Sequence, residues 1–175
     1  MDIIIPLVAF AVGLLVKFID LEEHGLKLSK VIFYSAAVAA GALTAVDIKL
    51  YPVLFNLAFG IVLGLIMTGK IDTKAHTMAL FTFLAAVFVW AQPEISYLFL
   101  LVIVAASGAD EVVNNRVLDK GRIRNGIARK FLEVRPVVEI AVFCISAFTG
   151  IWAMWLTIFS FDVGYVLVSK FAHVK

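Results

Sequence analysis

Six apolar runs, each ended by charged or turn-forming residues, set the limits on this chain. They extend over Ile3–Ile19, Val31–Val46, Tyr51–Thr68, Thr77–Ala91, Ser96–Ala109 and Pro136–Phe159. In hydrocarbon every backbone N–H and C=O must find its partner within the protein, so such runs are expected to be helices. Composition agrees: 63% of the 175 residues are hydrophobic, 16% are charged, and mean hydropathy is +1.04. A soluble domain is roughly half apolar and about a quarter charged. The expected fold class is therefore all-α, a polytopic integral membrane bundle of six transmembrane helices forming a single domain over residues 1–175. Soluble enzymes, secreted disulfide scaffolds and nucleic-acid binders are excluded. The net charge of +2 is too small to point to a polyanion. The lone Cys144 leaves no intramolecular disulfide and no cysteine zinc site.

A last apolar stretch, Phe161–Val174, carries Asp162, Lys170 and His173. With no polar turn before it, it reads as the end of a long sixth helix or as an interfacial helix; a seventh span is the alternative. The first run lacks a basic leader and a small-residue cleavage site, so it is expected to remain as a span. Of the 15 Lys and Arg residues, all but Lys49, Lys170 and Lys175 fall near the end of run 1 or on the loops after runs 1, 3 and 5. The excess of basic residues marks those loops as cytoplasmic and, with six spans, puts both termini outside a cell membrane. Runs 4 and 5 are short, roughly 22 Å as helices against about 30 Å of hydrocarbon. Their helices should extend into the polar flanks, leaving Gln92-Pro93-Glu94 as the turn of a hairpin.

Helix association in lipid depends on close van der Waals contact, which favours small residues. Run 2 supplies them as Ser35-Ala36-Ala37-Val38-Ala39-Ala40-Gly41-Ala42, and run 3 places Gly60 and Gly64 at GxxxG spacing. The Gly60/Gly64 face fits either internal packing or a homo-oligomer contact.

The most informative pattern is a repeat. Ile19-Asp20 is followed by His24 and Leu28; Ile71-Asp72 is followed by His76 and Leu80; Ala109-Asp110 is followed by Asn114 where a histidine would stand. The simplest account is three related helical hairpins, pairing runs 1–2, 3–4 and 5–6. On a helix, residues i and i+4 share a face about 6 Å apart, so each Asp and His could ligate one metal or act as an oriented pair. If the three helix ends converge, Asp20, Asp72 and Asp110 would hold a divalent ion (Mg, Mn or Zn), with His24, His76 and Glu111 as ligands or bases. Simple marking of the water boundary explains the same residues.

Residues 116–135 are strongly basic. From Gly121, Ile123, Ile127, Phe131 and Val134 recur at helical spacing, which suits an amphipathic helix over about 121–134 lying on an anionic leaflet. Arg122, Arg124, Arg129 and Arg135 are candidates for holding a substrate phosphate; topogenic anchoring is the plainer alternative. Glu139, one turn into run 6, is expected to face inward and pair with Arg135.

No HExxH, GxSxG or Gly-rich phosphate loop occurs, and no charge is placed at mid-depth of the six spans. Three functions compete. The first is a membrane enzyme with a cytoplasmic-facing, metal-dependent site acting on a phosphate-bearing lipid or isoprenoid. The second is a channel or transporter for a small ion or solute, with the Asp/His layer as vestibule. The third is a structural membrane subunit. Membrane lipids are the expected partners, and nucleic acid is not.

Overall fold

The computed structural model describes residues 3–23, 28–69, 71, 73–113 and 136–171. Among them are seven α-helices and no strand: α1 (Ile4–Glu23), α2 (Lys30–Leu50), α3 (Leu54–Met67), α4 (Lys74–Trp90), α5 (Tyr97–Val113), α6 (Pro136–Thr149) and α7 (Trp152–Phe171). Among the described residues three stretches are long and apolar enough to cross a membrane: Ile4–Leu21, Lys30–Leu50 and Trp152–Lys170. The other apolar helices include Leu54–Met67, Lys74–Trp90 and Pro136–Thr149. The basic segment expected over 121–134 lies outside the described residues.

The sixth run is not one helix. It breaks at Gly150, whose φ of 77° is left-handed backbone that glycine adopts without steric cost. The Gly150 amide donates to the Ser146 carbonyl at 2.8 Å, closing α6 in the manner of a glycine C-cap. Hydropathy alone hides this break, because Thr149 and Gly150 are too few to interrupt the apolar run.

Three helix pairs run in the same direction, and small residues set each contact. In the α1–α7 pair a Cβ on Gly13 would collide with the Phe161 carbonyl, and one on Gly164 with the Phe10 carbonyl. In the α2–α4 pair Gly41 lies against the backbone of Ala79 and Phe83. In the α3–α5 pair Gly60 faces Ile103, and a Cβ on Gly64 would approach Ser107 Oγ to 2.5 Å. Such contacts bring backbones together where lipid offers no hydrophobic gain on association. The Gly60/Gly64 face, expected to serve internal packing or an oligomer contact, is filled by α5 of the same chain.

This pairing differs from the expected hairpins. Helices α1 and α2 do pack side by side, with Phe18 stacked on Phe33 at 5.2 Å. However, α3 packs mainly on α5, and α4 mainly on α2. The 91–96 connection is therefore a strap between two pairs rather than the tip of an α4–α5 hairpin. Asn56, fully buried on α3, holds it: Nδ2 donates to the Glu94 carbonyl at 2.8 Å, and Oδ1 accepts from the Ser96 amide at 2.8 Å.

Candidate functional site

The α1–α7 contact sets Asp20 beside Tyr165, and the α2–α4 pair, packed on α1, brings His76 to the same point. Thr73 caps α4: its hydroxyl accepts from the His76 amide at 3.1 Å and lies 2.7 Å from the His76 ring Nδ1. The capping hydroxyl thus fixes the imidazole as well as the helix start. His76 Nε2 lies 2.9 Å from Asp20 Oδ1. With the proton on Nε2, the ring donates to the carboxylate and Nδ1 receives the Thr73 hydroxyl proton.

The other Asp20 oxygen accepts from the Tyr165 hydroxyl at 2.5 Å. Lys17 Nζ donates to that hydroxyl at 3.2 Å, stands 3.6 Å from Asp20 Oδ2, and lies 4.5 Å from the Tyr165 ring centroid. Asp20 is thus held from three helices. Side-chain exposures of 16% for Lys17, 17% for Asp20 and 21% for His76 leave the cluster mostly buried yet within reach of a ligand.

A cavity of about 520 Å³ adjoins it. Every one of the seven helices contributes to the wall, which is mainly apolar but carries Asp20, Asp47, His76, Glu111, Asp162 and Tyr165. Asp47, Glu111 and Asp162 are each less than 9% exposed. Because α7 is a helix of its own, Asp162 sits at its middle, so the expectation of no charge at mid-depth fails there. Asp162 also hydrogen-bonds Glu139 on α6, and the Trp155 indole donates to Glu139 Oε2 at 3.1 Å. Glu139 therefore faces inward as expected, with partners on α7; Arg135, its expected partner, lies outside the described residues.

The residues expected to form one metal site separate. Asp20, His76 and Glu111 line the cavity. Asp110 is turned to α6, where Oδ1 accepts from the Val137 amide at 3.0 Å and Oδ2 from the Val138 amide at 2.8 Å. A carboxylate here meets the positive end of the helix just behind Pro136. Asp110 thus anchors α6. Asp72, His24 and the arginines at 122, 124, 129 and 135 lie outside the described residues. Among the described residues no three His, Cys, Asp or Glu side chains are grouped to hold a metal ion.

The Asp–His pairing is also not the expected one. Helix α4 begins at Lys74, so the i,i+4 spacing from position 72 to His76 is not carried by this helix. His76 of one repeat copy instead pairs with Asp20 of another. Sequence reasoning did not count Lys17, Asp47, Asp162 or Tyr165 among the site residues. The signal available for Asp47 and Asp162 was an acid within a long apolar helix, which in a membrane is a functional hint by itself.

No protein-family model matches the chain, and neither a curated protein nor a solved structure matches it.

Proposed function

We propose that the chain is a multi-pass membrane protein that passes a small cation through its helical bundle. The observation that carries this reading is the series of carboxyl groups along one interior cavity. Asp47 lies near the end of α2, Asp162 at the middle of α7, and Asp20 near the opposite end of the bundle. Carboxylates in a low-dielectric wall attract cations and repel phosphate esters. Intramembrane acids facing a cavity are the usual markers of ion and proton paths.

All seven helices cross the bilayer in this reading, the shorter ones with polar flanks. The loops after α1, α3 and α5 face the cytoplasm. The separate α7 adds a crossing and returns Lys170 and Lys175 to the basic side, leaving Lys49 as the only outer Lys or Arg. That distribution fits the bias of basic residues better than six spans. The N-terminus is then outside and the C-terminus inside. Outside labelling of a cysteine placed at position 125 in intact cells should be slow; fast labelling refutes the orientation.

The function is tested in proteoliposomes under imposed Na⁺, K⁺ and proton gradients. Flux above empty vesicles, reduced at least tenfold by Asp162→Asn, is expected. Flux equal to empty vesicles for all three ions refutes the reading.

One observation favours a second reading, a metal-dependent enzyme acting on a phosphate-bearing lipid or isoprenoid. The Asp20–His76–Thr73 chain is the arrangement of a carboxylate-oriented general base. Stoichiometric Mg, Mn or Zn in the purified protein, lost on His76→Ala, is its expected signature.

A further inference from the structure

Among the described acids of the cavity wall, Asp47 has an environment that points to a ligand. It is 4% exposed, and its Oδ1 has no hydrogen-bond partner among the described residues. A buried carboxylate left so is costly unless a counter-charge reaches it. The Thr157 hydroxyl oxygen on α7 is likewise buried without a partner among the described residues and lines the same cavity. Both therefore line one cavity, from different helices. Helix α7 runs with α1 and against α2, so the start of α7 lies on the same side of the bundle as the end of α2. Thr44, about one turn before Asp47 and on the same face, donates its proton to the Ala40 carbonyl at 2.9 Å. Its oxygen lone pairs remain available to the cavity that it also lines.

We propose that Asp47, Thr44 and Thr157 form a binding site for an alkali-metal cation. The site lies at the end of the cavity opposite the Asp20–His76–Tyr165 cluster. The donor set is all oxygen and carries a single negative charge. Hard cations select such ligands, whereas transition metals prefer imidazole or thiolate. Divalent hard ions usually gather more than one carboxylate. The charge balance is therefore that of a monovalent ion, and Na⁺ and K⁺ are the probes.

This deepens the cation-conducting reading but is tested without transport. Equilibrium binding of ²²Na⁺ and ⁸⁶Rb⁺, the latter reporting for K⁺, is measured on the full chain in detergent. Excess unlabelled ion serves as competitor and choline as the inert control. Saturable binding of one of the two ions at about one per chain is expected. Asp47→Asn should abolish it, Thr157→Val should weaken it at least tenfold, and Gly108→Ala, away from the cavity wall, should leave it within twofold. Should Asp47→Asn not fold, Thr44→Val and Thr157→Val decide on the same criterion. No saturable binding of either ion to the wild-type chain overturns the site, as does binding that Asp47→Asn leaves intact. Binding without flux in vesicles would keep this site and remove the transport function; flux without binding would do the reverse.

Discussion

Replacing Asp20 by alanine removes the acceptor of two hydrogen bonds at once, from His76 on α4 and Tyr165 on α7. Bonds to a charged group contribute about 1.5–3 kcal/mol each in proteins generally. Between membrane helices measured values average ~0.6 kcal/mol and reach ~1.7. The carboxylate is charged, short-bonded to Tyr165 and only 17% exposed, so the top of the membrane range applies, about 1.5 kcal/mol per bond. Asp20→Ala should then cost about 3 kcal/mol and Tyr165→Phe about 1.5. For a chain of this size, where each kcal/mol moves the midpoint by ~2–4 °C, the melting temperature falls by about 6–12 °C and 3–6 °C respectively. The double variant should melt close to Asp20→Ala alone, because the tyrosine has already lost its acceptor. That is a coupling of about 1.5 kcal/mol. Thermal unfolding in detergent, followed by tryptophan fluorescence, reads all three variants. Additive losses, or a Tyr165→Phe midpoint within about 1 °C of wild type, would show that the cluster does not tie α1 to α7.

Asp110→Ala should destabilise by about 1–2 kcal/mol through loss of the acceptor at the start of α6; Asp110→Asn should recover part of this, and a neutral outcome for alanine would remove the anchoring role. Gly13→Leu and Gly164→Leu should each prevent α1 and α7 from closing, giving little monodisperse protein on gel filtration. Gly108→Ala is the control: no atom lies within 4 Å of a Cβ placed there, so it should be neutral or stabilising by up to about 1 kcal/mol. Asn56→Leu leaves the Glu94 carbonyl and the Ser96 amide without their side-chain partner. It should cost about 2–4 kcal/mol and expose the 91–96 strap to protease.

The all-helical class was legible in the sequence, because hydropathy over a run of residues is a local property and α1 and α2 display it directly. The repeat singled out Asp20 and His76 for a similar reason: polar groups at the ends of long apolar helices stand out by position. Partners are another matter. An i,i+4 rule can pair Asp20 only with its own helical neighbours, whereas the structure pairs it with His76 and Tyr165, 56 and 145 residues away. Those meetings depend on which helix faces come together, and that is decided by small residues such as Gly13, Gly41, Gly64 and Gly164. Their significance appears only once the opposing backbone is in place. The break at Gly150 was hidden in the same way, since a glycine in an apolar run reads alike whether the helix continues or turns. The turn made α7 a separate helix and carried Asp162 from an apparent tail to the middle of the bundle. Asp110 shows the converse: its sequence pattern matches Asp20, but packing against the start of α6 gives it backbone amides instead of a cavity. Position along a helix is written locally, while the company a side chain keeps is set by contacts between distant helices.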